Sequence, residues 1–86
     1  MMKAKVIIGG PVGLHARPAA DFVRAAERFE SEIRLIKDGV RVNGKSILAI
    51  LTLAAEKGSE VALEVEGKDE HEAFHVLKAK LEANDT

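Results

Sequence analysis

An α+β fold, with helices covering one face of a four-stranded, largely antiparallel sheet, follows from three features of the sequence. Short stretches that alternate apolar and polar residues are interleaved with longer stretches whose apolar residues recur every three to four positions. Asp38-Gly39 joins two of the alternating stretches, and such a pair is the strongest short hairpin signal a sequence offers. With 86 residues, the chain has enough length for one domain over 1–86 with a modest core, and too little for most folds that pair a nucleotide site with a second lobe.

The elements read in order as βαββαβα. Lys3 to Ile8 places Ala4, Val6 and Ile8 on one face and Lys3 and Lys5 on the other, as a half-buried strand does, and Gly9-Gly10-Pro11 ends it. From Ala16, the residues Ala19, Phe22, Val23 and Ala26 fall on one helical face. Pro18 is tolerated in the first turn, where its missing NH has no partner to lose. Glu32 to Lys37 and Val40 to Val42 are the hairpin strands. Ser46 is a good N-cap for a helix over Ile47 to Ala55, stopped by Gly58. Ile50, Leu53 and Ala54 of this helix suit the core, whereas Ile47, Leu48 and Leu51 lie partly on another side, so apolar surface is left for a partner. Glu60 to Glu66 alternates with Val61, Leu63 and Val65 inward and Glu60, Glu64 and Glu66 toward water. Asp69 with Glu72 reads as a capping box for a last helix whose stripe is Ala73, Phe74, Val76, Leu77 and Leu81, fraying from Glu82. Helices on one face of a four-stranded, largely antiparallel sheet are the natural layer solution for this order of elements.

Composition excludes several function classes. Hydrophobic residues at 47% against 31% charged give a globular balance rather than disorder. Lys+Arg 13 against Asp+Glu 14 leaves no global field for nucleic acid or an anionic membrane. The absence of cysteine removes disulfides, thiolate metal sites and thiol catalysis. The apolar run at the start is too short for a signal peptide and no stretch approaches a membrane span, so a cytoplasmic protein without membrane insertion is expected. Nothing in the sequence demands more than a monomer.

The stretch Gly13-Leu14-His15-Ala16-Arg17-Pro18 carries the chemistry. A helix start leaves its first NH groups without intrahelical partners and concentrates partial positive charge there, which suits an anion. Gly13 lets the loop bend so that His15 lands at the cap. The cationic end favours neutral imidazole, leaving a ring nitrogen as nucleophile. Phosphoryl transfer needs positioning and charge stabilisation more than acid or base help. Arg17 and the NH groups of Ala16 and Arg17 are placed to supply it. Arg17, Arg24 and Arg28 lie on nearly one line of the helix, either as a solvated face or as an attraction for an acidic partner.

Gly13-Leu14-His15-Ala16-Arg17-Pro18-Ala19-Ala20 resembles the active-site signature of the HPr family, the histidine-containing phosphocarriers of the bacterial phosphotransferase system. Asn43-Gly44-Lys45-Ser46-Ile47 and Lys57-Gly58-Ser59-Glu60-Val61 match the same family at the same spacing. The resemblance implies an open-faced β-sandwich with strand order 1-4-2-3. It also implies a phosphoryl carrier, not an enzyme in its own right, that needs no cofactor. His15 would accept the group on Nδ1, giving pros-phosphohistidine, from enzyme I charged by phosphoenolpyruvate, and pass it to sugar-specific IIA proteins. Arg17 would neutralise the phosphate, and Ala20, Arg24, Ile47, Leu48 and Leu51 would form the docking surface. A serine at position 46 is, in many relatives, the target of an HPr kinase/phosphorylase; charge at the start of a helix is tolerated by the fold but disturbs a docking patch beside Ile47.

Val12 stands where many members carry Ser, Thr or Asn, so a side-chain hydrogen bond to the histidine or phosphate is lost from that position. Leu48 and Ala49 replace the Met and Gly of one branch, which bears on partner preference. Two other patterns compete with this reading. Gly39 to Ser46 matches the P-loop spacing G-x-x-x-x-G-K-[ST], yet Val40-Arg41-Val42 after an Asp-Gly turn builds a strand rather than a phosphate-wrapping loop. His71 and His75, spaced i, i+4, form a potential metal pair with no third ligand at hand, and a solvated helix face is the expectation. A regulatory module working through Ser46 and the apolar helix is the rival in function.

Overall fold

The computed structural model describes residues 1–10 and 14–83. Its elements are β1 (Met2–Ile7), α1 (Ala16–Ala26), β2 (Glu32–Lys37), β3 (Val40–Asn43), α2 (Ile47–Thr52), β4 (Glu60–Glu66) and α3 (Glu70–Ala83). All strand pairs are antiparallel and the order is β1-β4-β2-β3, so the last strand in sequence lies inside the sheet. The period of two then sorts whole rows of side chains. Ala4, Leu63, Leu35 and Val42 stand side by side across the four strands toward the helices, and Lys3, Glu64, Arg34 and Asn43 form the neighbouring row on the open face.

Phe22, Leu35, Leu63, Leu77 and Leu81 are all buried between the sheet and the helical layer. The hairpin forms as its sequence requires: Asp38 and Gly39 have φ of 52° and 81°, the left-handed pair that matches strand twist.

Four local features differ from the expectations above. The second helix ends at Thr52 rather than Ala55, because Leu53 caps it and Ala54 turns into the left-handed region at φ 50°. That turn buries Leu53 and Ala55 and leaves Ala54, expected in the core, exposed. No glycine marks the turn, which is why the sequence hides it. Ala54→Gly is therefore expected to stabilise the fold by about 1 kcal/mol, since a non-glycine residue in this conformation costs roughly that much; a melting curve checks it.

The outward face of β4 is not wet at Glu64, which is 4% exposed. As an inner strand, β4 holds this carboxylate among cations of the other three strands. Arg34 Nε donates to it at 3.0 Å, Lys3 Nζ lies at 3.2 Å and an Arg41 guanidinium nitrogen at 3.8 Å. The hydrogen bond from Arg34, helped by Lys3, holds Glu64 below the ordinary carboxylate range against the opposing effect of burial.

The capping box at Asp69 is replaced by a longer-range tie. The Asp69 carboxylate accepts from the Glu30 and Ser31 NH groups at 2.9 and 3.0 Å and from the Ser31 hydroxyl, fastening the start of α3 to the loop before β2. These bonds, that from the Ser31 hydroxyl first, also lower the Asp69 pKa. Glu70, not Glu72, bonds back, accepting from the Gly67 NH at 3.1 Å. Glu82 lies within α3, which continues to Ala83 instead of fraying there.

Candidate active site

His15 is the N-cap of α1, with extended backbone at φ −87° and ψ −174°. Its neighbour Leu14 is buried and donates its NH to the Ala55 carbonyl at 2.8 Å, so the residue before the cap is pinned to the turn after α2. The His15 carbonyl accepts from the Ala19 NH at 2.9 Å and starts the helix. The imidazole is exposed and makes no capping hydrogen bond, so it is not needed to hold the helix. Among the described residues, the NH groups of Ala16 and Arg17 meet no acceptor, and Pro18 has none to offer. Arg17 is exposed and makes no ion pair among the described residues. Two open donors, the positive helix end and a planar guanidinium thus share one helix turn with the imidazole, an arrangement able to hold a tetrahedral anion there.

The neighbouring surface is apolar. α2 packs beside α1, and Leu48 is 78% and Ile47 39% exposed, while Leu51 is half-buried against the core. Ala20 is half-buried and Arg24 exposed. Ser46 caps α2, its hydroxyl accepting from the Ala49 NH at 3.2 Å. The structure therefore brings the candidate acceptor, the arginine stripe and the apolar helix to neighbouring elements. Val12 and Gly13 lie outside the described residues.

The competing patterns have other roles. Val40 to Asn43 of the P-loop match is strand β3. Its second glycine, Gly44, meets Ile33 rather than a phosphate: its NH donates to the Ile33 carbonyl at 2.7 Å, and a Cβ there would lie 2.5 Å from the Ile33 side chain. Lys45 Nζ donates to the Phe29 carbonyl at 2.8 Å. His71 and His75 are exposed on α3.

Residues 2–83 match the family model described as PTS HPr component phosphorylation site. The chain belongs to the HPr family. It is 52% identical over 66 residues to phosphocarrier protein HPr of Treponema pallidum, covering 77% of this chain and 75% of that one. It is 48% identical over 79 residues to the HPr-like protein Crh of Bacillus subtilis, covering 92% and 93%; a Crh crystal structure, a swapped-domain dimer, superposes with a TM-score of 0.77, at 47% identity and coverage of 94% of this chain and 93% of that one. The crystal structure of HPr from Bacillus anthracis superposes with a TM-score of 0.91 at 42% identity, covering 94% and 96%. The HPr fold, with the strand order that the resemblance implies, is thus present here, and the family is one of phosphocarriers of the phosphotransferase system.

Two features beside the candidate site are not marked by the motif. The bond from Leu14 to Ala55 depends on the hidden turn at Ala54. Asp21 sits four residues after Arg17, on the same helical line as the arginines. That spacing was the available signal.

Proposed function

We propose that this chain carries phosphoryl groups on His15. The group arrives from phosphorylated enzyme I: the bond to the donor breaks as Nδ1 of His15 forms a P–N bond. In a second transfer the P–N bond to His15 breaks as a nucleophile of a IIA protein bonds to the phosphorus and takes the group. Arg17 and the NH groups of Ala16 and Arg17 stabilise the charge on the transferring oxygens. The observation that carries this reading is the exposed imidazole at the cap of α1, unused by the fold and beside open donors. Ala20, Arg24, Ile47, Leu48 and Leu51 form the face that partners cover.

The chain acts as one domain and as a monomer in this reading, and it works in the cytoplasm. Among the described residues, no helix is long and apolar enough to cross a membrane. The relay is tested by supplying labelled phosphoenolpyruvate, enzyme I and a IIA protein. Label reaches the IIA protein only when this chain is added; label appearing there without it, or never appearing, contradicts the proposal.

Ser46 is the proposed site of regulatory phosphorylation by an HPr kinase/phosphorylase. Its hydroxyl caps α2 beside Ile47, so a phosphate adds charge to the docking face while the helix start tolerates it. Ser46→Asp is expected to raise the KM for enzyme I roughly tenfold by placing a negative charge at the interface rim, measured in the same transfer assay. The similarity to the HPr-like protein Crh favours, as a second reading, a regulatory module acting through Ser46 and α2. Phosphorylation of His15 separates the two.

A further inference from the structure

The line of α1 that carries Arg17, Arg24 and Arg28 also carries Asp21. At about 100° per residue the four side chains lie within about 60° of one another. An acidic residue in the middle of a basic stripe should spoil it for an acidic partner. The structure answers this from another element. Lys80 of α3, 59 residues away in sequence, places Nζ 3.0 Å from the Asp21 carboxylate. Arg24 stays 4.0 Å from the same carboxylate and is 75% exposed. Asp21, Arg24, Ala25, Arg28 and Lys80 line a shallow cleft of about 270 Å³ between α1 and α3.

We propose that Lys80 is part of the docking surface, with Asp21 as its target. By taking up most of the Asp21 charge it leaves Arg24 only at the 4.0 Å edge of an ion pair with Asp21, still largely exposed, and keeps the stripe positive from Arg17 through Arg28. The partner this face fits is a protein surface rich in carboxylates. The inference rests on the phosphocarrier reading and extends its docking face onto α3. Without Lys80, Asp21 would both repel such a partner and draw the Arg24 guanidinium down onto itself. A purely structural strap between α1 and α3 makes a different prediction, because it is broken equally by loss of either partner.

Steady-state transfer from enzyme I distinguishes these accounts, with Lys80→Ala, Asp21→Asn and the double variant compared at low and high salt. Lys80→Ala is expected to raise the KM for this chain roughly three- to tenfold at low salt with kcat held, and the defect should shrink as salt is added. Asp21→Asn should leave KM equal to or below that of the parent chain. The double variant, whose stripe charge equals the parent's, should return KM to within about twofold. Circular-dichroism melting of each variant reads the strap separately. An unchanged KM in Lys80→Ala overturns the inference, as does a double variant no better than Lys80→Ala, or equal KM losses in both single variants. If the parent chain itself receives no phosphoryl group from enzyme I, the phosphocarrier reading falls and this inference with it.

Discussion

Replacing Arg17 with alanine is expected to lower kcat for the proposed phosphoryl transfer to His15 roughly 10²- to 10³-fold, the scale on which loss of one charge-stabilising donor is felt. Arg17 is the second residue of α1, directly after the cap turn that carries His15, and it has no ion pair among the described residues that would compete for its guanidinium. The fold makes little use of the side chain, so the melting temperature should hardly move. Arg17→Lys should recover only part of the rate, because an ammonium restores the charge without the planar fork that bridges two phosphate oxygens. Rapid-quench measurement of single-turnover transfer from phosphorylated enzyme I reads the chemical step directly. An Arg17→Ala rate within threefold of the parent would leave the stabilisation to the helix-start NH groups alone.

The largest stability effect away from the core is expected at Glu64. Glu64→Ala leaves the Arg34 guanidinium on the open face without its central partner. Arg34 keeps Glu32 at 2.7 Å and Glu66 at 3.2 Å, so the loss should be about 2 kcal/mol, below the several kcal/mol of a fully isolated buried charge. The pH dependence follows from the direction of the shifts. Glu64 and Asp69 both titrate below their ordinary values of 4.5 and 3.8 in the folded chain. The unfolded chain therefore binds protons first as pH falls. The stabilisation is fully present above these ordinary values and is lost as pH drops through the depressed ones. Urea unfolding between neutral pH and pH 3 should show the loss, and Glu64→Gln should make the curve shallower. A Glu64→Gln curve parallel to that of the parent chain would remove Glu64 from the acid response.

Much of this was legible in the sequence because local pattern and tertiary demand agree. The alternation of Val61, Leu63 and Val65, the Asp38-Gly39 turn and the stripe of α1 each point to the element that forms. What stayed hidden depends on neighbours far along the chain. Glu64 reads as a solvent-facing residue until β4 is known to lie between β1 and β2, where Lys3 and Arg34 close over it. Asp69 reads as a helix cap until the loop at Glu30 and Ser31 comes within reach of its carboxylate. The end of α2 was obscured by an alanine at φ 50° where a glycine would have marked the turn. At the site, His15 and Arg17 were visible from the motif, whereas the pairing of Asp21 with Lys80 required α1 and α3 to be side by side.

The central claim is that His15 is the residue that carries the phosphoryl group, and intact-mass spectrometry tests it most directly. Incubated with phosphoenolpyruvate and enzyme I, the parent chain is expected to gain one phosphoryl group that is lost in acid, and His15→Ala to gain none. A phosphoryl group that persists on His15→Ala, or one on the parent chain that survives acid, would contradict the account.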